Sequence, residues 1–402
     1  MKQFGRSGWV LSRYLLRWGS LFGVLLVATG CSNLRPKPPV QWVYVTAKQT
    51  FLRDRVAAVS NRTATVANGD KLQVLDHGRR FVKVQTAKGE IGWIDEKAVA
   101  NEQVYGMFDT LREDHKNDPV AASAVVRDEV YLHARPGRDT ERFFILEEGA
   151  KLKMLARATL PKVVAGAKLA KAAAPAATTP AAPGAAKVKA GAASAPEVPV
   201  PPAMEDWWLV RDAQARTGWI LSRMIDVDAP DALTKYAEGQ RIVGAYVLTT
   251  VNDPDAEQED KNIPIYVTVL SPYKAGLTYD FDQVRVFTWS LKKHRYETGF
   301  RDKNIEGYLP VTIKVEKDPY GKSVAAQVPA PTFSYKVLAA EAPDVVPDPV
   351  TGAMAPAKTV LKTYRLEGNL VRRIVQPGMP APMEAHPAPP EKKPVVAKGK
   401  KR

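Results

Sequence analysis

Apolar and polar residues alternate along much of the chain, with the two-residue period of half-buried strands. The pattern is plain in "KLQVL" from Lys71, "FVKVQT" from Phe81 and "KLKML" from Lys151. Gly-containing stretches between such runs predict turns. Val104, Phe108 and Leu111 change the period to i, i+4, i+7, which predicts a short amphipathic helix within a connector at 101–122. Asp118-Pro119 marks its end. Further on, "RIVGAYVLTTV", "PIYVTVL", "QVRVFTW", "GYLPVTIKV", "TFSYKVL" and "VLKTYRL" concentrate β-branched and aromatic residues. "VRVFTW" with "YETGF" and "TYRL" with "LVRRI" predict hairpins, the second turning at Gly368. These runs predict an all-β, sandwich-like domain over 232–375, with the Pro- and Ala-rich "APDVVPDPVTGAMAPA" as a loop between its last strands.

The first half contains a repeat. "FLRDR" at Phe51 matches "YLHAR" at Tyr131, and "VANGDKLQVL" at Val66 matches "LEEGAKLKML" at Leu146, both at an offset of 80. "FVKVQTAKGEIGWI" at Phe81 then matches "WWLVRDAQARTGWI" at Trp207 at an offset of 126. The added residues therefore interrupt the second copy. They include Ala170 to Pro196, where 14 of 27 residues are Ala and none is aromatic, Leu or Ile. Such a stretch cannot bury enough apolar surface to offset its ordering entropy, so a disordered insertion is expected at about 159–204.

Each copy has the length of a small β-barrel once the insertion is removed. The layout resembles the bacterial SH3-like domain (SH3b), with its "LxxR" strand, its Gly-containing middle segment and its closing Gly-Trp hairpin. The matching residues are Leu52, Arg55, Gly69, Val74, Phe81, Val84 and Gly92-Trp93 in copy one. Copy two carries Leu132, Arg135, Gly149, Met154, Trp207, Val210 and Gly218-Trp219. The family's "RSGPS" turn is replaced by "RDRVAAVS" in the first copy, whereas the second keeps "ARPGRDT". The fold class expected is all-β: SH3-like barrels at 42–100 and 123–228, then the sandwich-like domain. The resemblance implies binding of cell-wall peptide or glycan.

Charge and the N-terminus narrow the setting. Net charge is +15, which favours an anionic partner or surface. Lys2, Arg6, Arg13 and Arg17 precede the short apolar "SLFGVLLVATG", and the sole cysteine, Cys31, ends it. An apolar run of about 11 residues spans roughly 17 Å as a helix, short of a bilayer core of about 30 Å. It reads as a signal peptide over 1–30. "VATGCS" resembles a bacterial lipoprotein box, which implies lipidation of Cys31 followed by a tether at 31–41. The expected location is the cell envelope, facing the periplasm. Ser32 in place of an Asp favours the outer membrane. Export argues against nucleic acid as a partner. The tail, 376–402, ends in a cluster of Lys and Arg and is expected to be disordered.

No constellation for catalysis stands out. His77, His115, His133, His294 and His386 are scattered without metal-ligand spacing, so no metal or cofactor is expected. Two Ser-x-x-Lys matches, Ser271/Lys274 and Ser290/Lys293, fall in strand-rich sequence without the companion motifs. "YGKS" at Tyr320 has Glu316 where a phosphate loop needs its first Gly. The acidic "NDPDAEQED" at Asn252 has Gln258 where a calcium loop turns at Gly, and reads as a solvated turn. Trp93, Trp207, Trp208 and Trp219 are the candidate ligand contacts, since flat rings stack on sugars and peptide planes. Trp208 replaces Val82 of the first copy, which points to a ligand contact or a domain interface. The function expected is non-enzymatic binding of peptidoglycan or an envelope partner. The alternatives are a scaffold acting through the C-terminal domain and an enzyme with an unrecognised site there.

Overall fold

The computed structural model describes residues 39–57, 59–162, 203–378, 380 and 382–388. The expected leader, Cys31, most of the insertion and the final basic cluster lie outside these residues. Barrel 1 is built from β1 (Trp42–Val45), β2 (Gln49–Arg53), β3 (Arg62–Ala67), β4 (Lys71–His77), β5 (Phe81–Gln85), β6 (Ile91–Asp95) and β7 (Val99–Asn101). Barrel 2 comprises β8 (Ala122–Val126), β9 (Val130–His133), β10 (Arg142–Leu146), β11 (Lys151–Pro161), β12 (Met204–Asp212), β13 (Thr217–Leu221) and β14 (Ile225–Val227). The strand orders are β3-β2-β6-β5-β4-β1-β7 and β10-β9-β13-β12-β11-β8-β14, the same topology twice. The repeat in sequence is thus a repeat in structure.

Alternation fills the cores. Leu52, Leu72, Val82, Val84 and Ile94 are 3% exposed or less in barrel 1. Leu132, Leu152, Val210 and Ile220 occupy barrel 2 in the same way. The Gly of each Gly-Trp pair has a steric reason. A Cβ on Gly92 would stand 2.6 Å from Leu52 Cβ, and one on Gly218 would stand 2.8 Å from Leu132 Cβ. Only glycine lets the closing strand cross β2 or β9 that closely.

Helix α1 (Glu102–Asp114) joins the barrels, capped by the Asn101 side chain, which accepts from Val104 N. Tyr105 stacks on Tyr44 of barrel 1 with centroids 4.0 Å apart, and Phe108 packs 5.9 Å from Phe143 of barrel 2. Asn68 adds a polar staple. Its Nδ2 donates to Phe143 O at 2.9 Å and its Oδ1 accepts from Ile145 N at 3.1 Å. Tyr44 belongs to the apolar cluster of barrel 2, so the barrels share one core seam.

The third unit is a single antiparallel sheet of seven strands in chain order. These are β15 (Arg241–Asn252), β16 (Asn262–Ser271), β17 (Phe281–Ser290), β18 (Arg295–Glu316), β19 (Ala330–Leu338), β20 (Thr359–Glu367) and β21 (Leu370–Arg373). Val243 and Leu248 of β15 share one core with Phe281, Val286, Phe333 and Tyr335, so the sheet folds over into two layers. "YETGF" and "GYLPVTIKV" are one strand of 22 residues, pairing with β17 along its first part and with β19 along its second. Short helices α2 (Asp231–Thr234) and α3 (Val324–Gln327) border the sheet.

Two expected boundaries are corrected. The insertion expected at about 159–204 starts later and ends earlier, because the β11–β12 ladder runs out to Thr159↔Asp206, Leu160↔Glu205 and Pro161↔Met204. The C-terminal unit holds this ribbon. Thr159 N donates to Gly352 O at 2.7 Å, and Ala158 bridges Ala353. The disorder expected over 376–402 does not extend to Glu384 and Ala385. Instead Ala385 N donates to Leu338 O at 2.9 Å, and Glu384 pairs with the buried ammonium of Lys362 at 2.9 Å. The buried ammonium is shared between Asp302 and Glu384, so the segment supplies its second carboxylate.

Candidate cation–aromatic faces and the cleft between the barrels

Residues paired across a ladder present their side chains on one face. In barrel 1, Arg53 of β2 pairs with Arg62 and Trp93, and Lys83 of β5 flanks Trp93 on its far side. Phe51 lies two residues before Arg53, hence on the same face. The Arg62 guanidinium sits 3.8 Å from the Phe51 ring centre. Gly78 in the β4–β5 turn has no side chain to displace the Trp93 ring, which a Cβ there would approach to 3.2 Å. Arg79 and Arg80 follow it, both exposed. The result is two partly exposed rings set among Arg53, Arg62 and Lys83.

Barrel 2 repeats the arrangement at the equivalent positions. His133 pairs with Arg142 and Trp219, and the Arg142 guanidinium lies 4.9 Å from the Tyr131 ring centre. Here Leu209 stands opposite Trp219, where barrel 1 has Lys83. Burial, reinforced by the Arg142 cation, pushes the His133 imidazole below its ordinary pKa. Its Nδ1 lies 2.9 Å from Thr140 Oγ1. The second face is therefore less cationic than the first.

Tyr131 and Arg142 also form one wall of a cavity of about 630 Å³ between the barrels. The facing wall comes from barrel 1 and includes Asp95, Lys97, Val99 and Asn101, with Glu141 at the side of Arg142. Both signs of charge and one aromatic ring line the cleft. Such a lining can pair with carboxylate and with ammonium groups of a ligand.

The four tryptophans separate by position. Trp93 and Trp219 are partly exposed on the two faces. Trp207 and Trp208 are 2% and 6% exposed. Trp208 points into the core of barrel 2 and lines a cavity shared with the C-terminal unit. Trp207 lies on the opposite side of β12, its ring edge-on to His133 at 5.1 Å. Neither offers an open ring face to solvent. The residues that complete the faces are Phe51, Arg53, Arg62 and Lys83, with Tyr131, His133 and Arg142. The offset of 80 already aligned Phe51 with Tyr131 and Arg62 with Arg142 in sequence.

The remaining candidates sit elsewhere. Among the described residues, no group of His, Cys, Asp and Glu is placed to hold a metal ion. Asp253 of the acidic run is 2% exposed and accepts from Trp289 Nε1 at 2.6 Å, with His294 Nδ1 at 2.8 Å. Ser271 is fully buried on β16, and Ser323 caps α3. Among the described residues, no helix is long and apolar enough to cross a membrane.

A family model described as bacterial SH3 domain matches residues 48–100. No curated protein matches the chain. Among solved structures, NlpC2 from Trichomonas vaginalis is 8% identical with a TM-score of 0.14, covering 50% of this chain and 54% of its own. The chain thus spans about half the length of that protein. An NlpC/P60 family protein from Bacillus cereus ATCC 10987 is 10% identical with a TM-score of 0.20, covering 67% and 100%. NlpC1 from Trichomonas vaginalis is 7% identical with a TM-score of 0.14, covering 64% and 87%. Likeness at this level leaves the site to be read from its own residues.

Proposed function

We propose that this chain is a non-enzymatic, lipid-anchored envelope protein that holds peptidoglycan, or a partner attached to it, through its paired barrels. The observation that carries the reading is the cation–aromatic face, present on both barrels at equivalent positions. Rings stack on sugar and peptide planes, while guanidinium and ammonium groups pair with carboxylates and phosphates of the wall. Because Tyr44, Tyr105 and Asn68 join the barrels, a ligand strand held by one face meets the second at high effective concentration. The bacterial SH3 match over 48–100 supports the same use of barrel 1, and the shared topology extends it to barrel 2. Cys31 carries the anchor in this reading, with the protein facing the periplasm.

The test is retention of the chain from residue 32 onward by purified sacculi, with albumin as control. Expected is retention that weakens between low and physiological salt, as the screening length falls to about 8 Å. It should weaken further when Trp93 is replaced by Ala. No retention above albumin at low salt sinks the wall reading and leaves the scaffold role in its place. Cys31→Ala in cells should release the protein from the carbonate-washed membrane pellet; persistence there places the anchor elsewhere.

A further inference from the structure

A second cavity, of about 460 Å³, lies where barrel 2 meets the C-terminal sheet. That volume is within the range of small-molecule sites. Met154, Trp208 and Ile225 supply an apolar floor from barrel 2, and Val243 of β15 adds to it. Arg241, the first residue of β15, stands on the wall beside Ser222. Its Nη1 donates to Ser222 Oγ at 3.4 Å, a long contact. Its Nε is buried without a hydrogen-bond partner, and Nη2 has none among the described residues. A buried N–H left unpaired is costly, so an unfilled guanidinium edge asks for an acceptor. The Nε/Nη2 edge is a fork that takes a carboxylate through two parallel hydrogen bonds.

Of the acids on the wall, Asp226 and Asp280 are engaged, whereas the Asp231 carboxylate has no ion-pair partner among the described residues. Asp280 Oδ1 lies 2.8 Å from Arg157 Nε, an ion pair in which that nitrogen makes no hydrogen bond, and its Oδ2 accepts from Leu309 N at 2.9 Å. Asp226 pairs with Arg127 at 3.1 Å. Asp206 keeps one oxygen unpartnered, and its charge acts on both Arg157, at 3.7 Å, and Arg241, with neither hydrogen-bonded to that oxygen. Arg223, also on the wall, has no acid within ion-pair distance among the described residues. At the rim, Tyr273 is 75% exposed, a large ring without cover.

We propose that this cavity binds a small carboxylate with an apolar body, the carboxylate on the Arg241 fork and the body between Trp208 and Tyr273. The class includes N-acylated amino acids and the C-terminal residues of short peptides. The site is separate from the wall-binding faces, so it stands or falls independently of them.

The probes are N-acetyl-leucine and its amide, titrated into the chain from residue 32 onward and followed by calorimetry and tryptophan fluorescence. Expected is saturable binding of the acid, with the neutral amide at least about tenfold weaker, since it offers no charge to the fork. Arg241→Lys keeps the charge but removes the fork, and should weaken the acid about fivefold or more. Tyr273→Ala alters an exposed residue, should leave the melting temperature near wild type, and should also weaken binding. Equal binding of acid and amide overturns the proposal. So does unchanged binding in both variants, or no saturation by about 10 mM with N-acetyl-alanine, N-acetyl-leucine and N-acetyl-phenylalanine alike.

Discussion

Gly92 and Gly218 sit where a methyl group has no room, so alanine at either position should overpack a barrel. A cost of about 1–3 kcal/mol is expected for each, read as a lower denaturant midpoint at unchanged slope. The tryptophans divide the same way. Trp208→Ala empties a core position and should lose about 3–5 kcal/mol. Trp93→Ala, on an open face, should leave the melting temperature close to wild type and lower sacculus retention. His133 supplies a pH signature. Its folded pKa is depressed, so the fold favours the neutral ring. That contribution is complete above the unfolded value near 6.5 and is lost as pH falls below it toward the folded value. His133→Asn should flatten this part of the stability profile below about pH 6.5. The Gly-Trp pairs were legible in sequence because sterics act between close neighbours in the repeat. Which tryptophans stay open was not legible, because a neighbouring unit closes the cavity over Trp208.

The β11–β12 ribbon makes the same point for elements. The jump in repeat offset revealed an insertion and its place, but not its ends. Thr159 and Asp206 are held by Gly352 and Gly276, which lie far along the chain and leave no local signal. Joining Lys162 to Ala203 through a short Gly/Ser bridge should therefore keep the melting temperature within about 5 °C. Removing 159–204 as well breaks the buried Thr159–Asp206 hydrogen bond of 2.7 Å and the ladder to Gly352, and should exceed that limit. β18 shows the reverse case. Its two apolar runs looked separate because the stretch between them is polar, "RDKNIE". Pairing first with β17 and then with β19 carries the backbone through that stretch without a break.

At the scale of the molecule, the duplication was legible and the assembly of its parts was not. Alternation and turn residues specify each barrel locally. The seams depend on side chains that look like ordinary surface polars in sequence, such as Asn68 and Arg157. Arg157 of barrel 2 enters the C-terminal unit, where its Nη2 donates to Leu277 O and Tyr279 O, each at 2.9 Å. Its charge is met by Asp280 and, at longer range, by Asp206. Losing one member of such a buried set strands the others, at a cost of about 3–5 kcal/mol. This cluster therefore acts as an evolutionary ratchet. A lineage cannot leave it by one substitution without passing through an unstable intermediate, whereas exposed cations such as Arg62 and Arg142 are free to drift with the ligand. Among natural relatives, positions 157, 206 and 280 should change in concert or not at all. A set of sequences in which they vary independently would show that the two units are not bound to one another by descent.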